Sequence, residues 1–161
     1  MASGETLCRF TVQCNEPPIA NWATFHVRNA RPVLDFALTE IGLFSSIWPT
    51  NYSGLGVIVY LHIAMTSAVA NDINLEASFE RTGEVLDIDA DSFAAAQSTG
   101  DIVVPGTSGL VGIVPVVFTD GAEIDSILAG EGFRLKIERV AVAGVDAAGD
   151  LELLYIEVKE T

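Results

Sequence analysis

Two strand-like runs in this chain are apolar on both of their faces. In Leu55–Met65 one alternating set reads Leu55, Val57, Val59, Leu61, Ile63 and Met65, and the other reads Ile58, Tyr60, His62 and Ala64. Leu110–Phe118 repeats the pattern, with Leu110, Gly112, Val114, Val116 and Phe118 on one side and Val111, Ile113 and Val117 on the other. A strand at the wet surface of a small sandwich needs only one oily face. Two oily faces predict that something covers the second, and a neighbouring subunit is a natural cover. Pro115 lies within the second run and donates no ladder hydrogen bond, which predicts an edge strand or a bulge there.

The rest of the chain alternates strand and turn. Thr24–Val27, Val33–Phe36 and Ile41–Trp48 are candidate strands, the last ending at Pro49 and the turn-rich Asn51-Tyr52-Ser53-Gly54. Ile73 to Glu80 and Phe133 to Glu138 alternate apolar with polar, as half-buried strands do. Ile102–Val104 is brief and stops at Pro105-Gly106, and Leu151–Val158 closes the chain. Asp91 is placed to cap a short helix over Ser92–Gln97. Asp120 and Glu123 have capping-box spacing, predicting one or two helical turns within Ala122–Ala129. About eight strands with such turns predict an all-β sandwich, best fitted by a jelly roll. No long amphipathic helix lies between strands, so a parallel α/β sheet is not expected.

The first 22 residues differ from the remainder of the chain. A short strand-like stretch, Leu7 to Gln13, runs into Asn15-Glu16-Pro17-Pro18, where two prolines block ladder hydrogen bonding. Residues 1–22 are therefore expected as an extended arm, packed on its own domain or reaching onto a neighbour, and residues 23–161 as the sandwich domain.

Charge narrows the partners. Eight Lys and Arg stand against 22 Asp and Glu, a formal charge of -14 in 161 residues. Such a surface repels phosphate backbones and anionic lipid, so neither nucleic acid nor membrane is an expected partner. Half the residues are nonetheless hydrophobic, which excludes disorder for the bulk of the chain. No uncharged apolar span reaches the roughly 18 residues of a membrane helix. The N-terminus lacks a basic segment followed by an apolar one, so no secretory signal is expected and the Asn51-Tyr52-Ser53 sequon carries no weight. Cys8 and Cys14, with no CxxC and no histidine pair nearby, are expected as reduced thiols, a short-loop disulfide being the alternative.

Chemistry-bearing motifs are sparse. Asp87, Asp89 and Asp91 alternate as in a calcium loop, but Ser92 and Ser98 stand where glycine and glutamate belong. His26 and His62 are the only histidines, and both sit in strand patterns. There is no nucleophile elbow, phosphate loop, HExxH or dinucleotide fingerprint, and Gly106-Thr-Ser-Gly109 reads as a turn. Among 22 acids some pair is always close, so two carboxylates do not argue for glycoside hydrolysis. No catalytic residue, metal ligand or cofactor is assigned. Trp22, Trp48, Tyr52, Tyr60 and Tyr155 offer either core and interface filling or a sugar-stacking platform.

Arg31–Phe36, Pro49–Gly54, Asp87–Phe93, Thr119–Ser126 and Gly130–Leu135 resemble segments of a group of tailed-bacteriophage virion proteins, over about residues 23–160. The resemblance implies a β-sandwich component of the particle: a trimeric capsid decoration or cement protein on the virion surface, partnered by itself and by the major capsid protein. Its expected job is non-enzymatic clamping of the shell through buried apolar area. Ile58, Tyr60, His62, Val111, Ile113 and the arm with Pro17 and Pro18 are the expected contacts. The alternative from another class is a receptor- or glycan-binding module of a tail fibre or appendage. An enzyme stands third, and a deep cleft joining a histidine to carboxylates would revive it.

Overall fold

Alternation of apolar and polar side chains decides the architecture, and the computed structural model, which describes residues 4–67 and 70–161, contains twelve strands. They are β1 (Thr6–Thr11), β2 (Asn15–Glu16), β3 (Thr24–Arg28), β4 (Arg31–Phe36), β5 (Ile41–Ile47), β6 (Val57–Met65), β7 (Asp72–Thr82), β8 (Gln97–Ser98), β9 (Ile102–Val103), β10 (Gly112–Phe118), β11 (Gly132–Val140) and β12 (Leu151–Glu160). All pairs between these strands are antiparallel. The first sheet runs β10-β6-β12-β4-β3, with β1 also on β12, and the second runs β2-β5-β11-β7-β8, with β9 also on β7. The expected all-β sandwich is what forms.

The core lies between the two sheets. Val57, Val59, Leu61, Ile63 and Met65, one face of the first two-faced run, are fully buried. Leu34, Phe36, Phe44, Ile73, Leu75, Phe79, Leu135 and Ile137 meet them from the other strands. Trp48 is buried and stands edge-on to Tyr52, Phe79 and Phe133, with ring centroids 5.0–5.6 Å apart. Such edge-to-face pairs add about 0.5–1.5 kcal/mol each beyond their buried area.

Pro115 falls on β10, which pairs only with β6 and forms one edge of the first sheet. An edge strand has one unpaired flank, so the missing N–H leaves no gap in the ladder. The N-terminal segment packs on its own domain. Thr6–Thr11 pairs with Lys159–Tyr155 of β12, and Asn15–Glu16 pairs with Phe44–Leu43 of β5. Phe10 and Val12 are buried in the common core, so from residue 6 to 16 the expected arm is woven into both sheets. The prolines act only beyond this segment, with Pro17 exposed and Pro18 half-buried. Residues 1–3 of the expected arm lie outside the described part.

Two helical expectations give way to tertiary demands. Ser92–Gln97 forms no helix: the Ala94 N–H donates to Phe79 O at 2.8 Å, and Gln97–Ser98 pairs with Ala77–Glu76. Strand β7 is eleven residues long, and this segment satisfies part of its second edge. The expected turns in Ala122–Ala129 shrink to one 3-10 turn, Ala122–Ile124. Glu123 does reach back to accept from the Thr119 N–H at 2.6 Å. Gly121 at the cap offers no side chain, however, and Asp125 and Ser126 turn left-handed immediately after. The Asp87–Asp91 stretch is a surface turn in which the Asp87 carboxylate accepts from the Asp89 N–H.

Candidate functional site

The second apolar face of β6 is not covered by another layer of the protein. It lies on the outside of the first sheet, where register arranges the outward residues in rows. Val117, Ile58, Lys159 and Thr6 form one row; Pro115, Tyr60, Glu157 and Arg9 the next; Ile113, His62, Tyr155 and Thr11 the third. Ala64 and Glu152 continue the face, with Asp35 of β4 and Thr24 of β3 beyond them. At strand spacing the four-strand rows are roughly 14 Å wide, and the face is roughly 20 Å long.

A β-bulge between Leu153 and Tyr155 shapes this face. Leu151 and Leu153 point into the core, and an unbroken alternation would send Tyr155 the same way. The extra residue shifts the phase, so Ile156 and Val158 take the core positions and Tyr155 turns outward, 44% exposed. Its ring meets His62 edge-on, centroids 6.1 Å apart. Arg9, Thr11, His62 and Glu157 surround Tyr155 in a depression of about 270 Å³. Tyr60, in the next row, has the Lys159 ammonium over its ring, 5.7 Å from the centroid.

A second depression, of about 190 Å³, opens at the other end of the same face. Its floor is the buried trio Val33, Ala64 and Leu154. Arg28 and Glu152 form its polar wall, joined at 2.5 Å. The Glu152 side chain is 2% exposed and that of Arg28 33%. The same guanidinium donates to Met65 O at 3.1 Å and to Ser108 Oγ at 2.8 Å. Gly109 makes room for it: a Cβ there would lie 2.7 Å from Arg28 Nη2, and its φ of +76° suits glycine in any case. Asp35 adds an Oδ1 atom that is buried without a partner, and burial pushes its carboxyl above the usual range.

His26, Asp35 and Glu152 bring their ligand atoms within 4.8 Å of one another. This is the one set of that kind among the described residues. Two features weigh against a catalytic or metal centre here. Arg28 already holds the Glu152 carboxylate, and the His26 side chain is 61% exposed and 3.7 Å from Asp35 rather than enclosed in a cleft.

Of the residues expected at contacts, Ile58, Tyr60, His62 and Ile113 therefore share one open face, and Val111 lines its second depression. Pro17 and Pro18 lie outside that face, in the stretch between β2 and β3. The aromatics divide: Trp48 is core, Tyr52 hydrogen-bonds Asp120 at 2.7 Å in the loops, and only Tyr60 and Tyr155 belong to the face. Trp22 is exposed beside β5, to which it is bridged at Ile41. Arg28, Ser108 and Glu152 carried no sequence signal, because three distant segments supply them. Cys8 and Cys14 are both free thiols, and burial pushes the Cys8 thiol up to about 11. No helix among the described residues is long and apolar enough to cross a membrane.

No protein-family model and no curated protein matches the chain. Solved structures do match its fold. CsCBM6-3 from Clostridium stercorarium, solved with cellobiose, superposes with a TM-score of 0.57 at 6% identity, over 96% of this chain and 95% of the other. A carbohydrate binding module from Cellvibrio mixtus lichenase 5A, solved with cellotriose, gives 0.55 at 9% identity over 98% and 99%. The C-terminal CBM6 of LamC from Zobellia galactanivorans gives 0.51 at 11% over 96% and 99%. At such identities the likeness establishes the β-sandwich fold.

Proposed function

We propose that this chain is a non-catalytic carbohydrate-binding module that takes an oligosaccharide across the outer face of the first sheet. The observation that carries the reading is the open row of Tyr155 and His62 beside Tyr60, flanked by depressions lined with fixed polar groups. Pyranose rings have apolar C–H faces and polar hydroxyl rims, and a tyrosine ring with carboxylates and guanidinium groups beside it answers both. The match in fold to modules solved with cellobiose and cellotriose supports the same reading. The capsid-decoration role draws no support from the three structures described above, which are carbohydrate-binding modules.

Titration calorimetry of the purified protein against cello-, xylo- and laminari-oligosaccharides tests it. Saturable binding to one of them is expected, with nuclear magnetic resonance shifts concentrated at Tyr60, His62 and Tyr155. Absence of binding across neutral and acidic glycans overturns the proposal.

One observation favours a second reading. Ile113 and Val117 are 58% and 56% exposed on the same face, and aliphatic side chains suit another protein better than they suit a sugar. Under that reading copies of the chain associate through this face, as a trimer on a larger particle. Sedimentation equilibrium separates the two, because a glycan module with this face open sediments as a monomer.

A further inference from the structure

Positive charge is unevenly placed in this acidic molecule. Four of the eight Lys and Arg residues, Arg9, Arg28, Arg31 and Lys159, lie on the outer face of the first sheet. The strand residues of that face carry three acids, Asp35, Glu152 and Glu157, whereas the whole chain has 22. This face is thus close to neutral in a protein of charge -14.

The β3–β4 hairpin makes this specific. Asn29 and Ala30 both have positive φ, 47° and 60°, as a two-residue primed turn requires. That tight turn sets Arg28 directly opposite Arg31 in the ladder. Like charges facing each other across a strand pair are destabilising. Arg28 is answered by Glu152. Arg31, which lines the same depression, has no carboxylate partner among the described residues. The hairpin thus sets an exposed guanidinium with no carboxylate partner beside a fixed one, over an apolar floor.

We infer that this depression recognises an acidic sugar, with the carboxylate of a hexuronate residue seated against Arg31. The inference rests on the glycan-binding reading and names the class of its ligand. A guanidinium takes a carboxylate through two parallel N–H···O bonds, and the buried floor of Val33, Ala64 and Leu154 faces the sugar's apolar side. The remote acids do not forbid this, because charges beyond about 8 Å are largely screened at physiological ionic strength.

The test titrates the wild-type protein and Arg31→Gln with a hexuronate oligosaccharide, its carboxyl-reduced neutral counterpart and a sulfated glucan oligosaccharide. The wild type is expected to bind the hexuronate roughly tenfold tighter than the reduced form, and to lose that margin in high salt. Arg31→Gln abolishes the margin, so that this variant binds the hexuronate and its carboxyl-reduced counterpart equally. Equal binding of acidic and neutral forms by the wild type, or an unaltered margin in Arg31→Gln, overturns the inference and leaves glycan binding standing. Preference for the sulfated over the carboxylated ligand overturns the assignment to a uronate. Failure of all three to bind overturns the glycan reading, and the inference with it.

Discussion

Tyr155 stands directly across from His62 in the β6–β12 register, and the two rings meet edge to face at 6.1 Å. The contact with His62 helps to fix the orientation of the tyrosine, which remains 44% exposed. Tyr155→Ala is expected to weaken oligosaccharide binding by roughly tenfold, the scale of about 1.4 kcal/mol. Its unfolding free energy should change by less than about 0.5 kcal/mol, as for most surface positions. Wild-type affinity in this variant, measured by calorimetry, removes Tyr155 from the site.

Val59 is fully buried within β6, on the face turned toward the core. Val59→Asp places a carboxylate where no partner exists, at a cost above about 4 kcal/mol. Loss of the cooperative thermal transition is the expected outcome. A folded variant with native near-ultraviolet dichroism contradicts the core assignment.

Arg28→Met leaves the Glu152 carboxylate buried without its cation. Breaking a wholly buried pair costs about 3–5 kcal/mol. Arg28 keeps a third of its side chain in water, so about 2 kcal/mol is expected. Adding Glu152→Leu should recover part of this loss. Urea denaturation of both variants checks the order, and a double variant less stable than the single one contradicts it.

Acid should destabilise the fold. The Arg81 guanidinium holds the Glu131 carboxyl below its usual range, and the Thr6 hydroxyl does the same for Glu157. Both contribute stability that is present above the ordinary carboxylate pKa and lost as pH falls through the depressed folded values. Asp35 acts in the opposite sense: burial raises its folded value and penalises the charged form at neutral pH, and acid relieves that penalty. Two lowered groups against one raised group predict a net decline below about pH 4.5. Glu131→Gln should make the decline shallower in denaturation curves taken at pH 7, 5 and 3, and an unchanged profile refutes the assignment.

Deleting residues 1–20 should abolish folding. It removes β1 and β2 together with Phe10 and Val12, two buried side chains worth about 1.5–3 kcal/mol each. It also strips one of the two ladders from the C-terminal half of β12, which keeps only its pairing with β6. Set against a typical total of about 5–15 kcal/mol, this loss leaves little margin. A truncated chain that still unfolds cooperatively would restore the separate arm.

Much of the fold is legible in the residues. The strands at Thr24, Val33, Ile41, Ile73, Phe133 and Leu151 begin within two residues of where alternation puts them. The exposed second face of β6 follows from the same periodicity, and Ile58, Tyr60 and His62 do share it. Alternation does not name the cover, because a two-faced strand serves a subunit contact and a ligand platform equally well. Leu153-Leu154-Tyr155-Ile156 has no alternation at all, so the outward turn of Tyr155 is visible only once the bulge is seen. Ser92–Gln97 carries a helix-like cap signal, yet the long edge of β7 claims it. The Arg28–Glu152–Ser108 cluster joins residues 80 and 124 positions apart, beyond any local pattern.

The bulge in β12 lets the two ends of the outer face evolve separately. Loss of the Leu154 codon would restore an even zigzag with Tyr155 still opposite His62, while the apolar bed beneath the arginine pair would lose one of its three members. A lineage could therefore reshape the charged end by a single three-nucleotide deletion and inherit the aromatic end untouched.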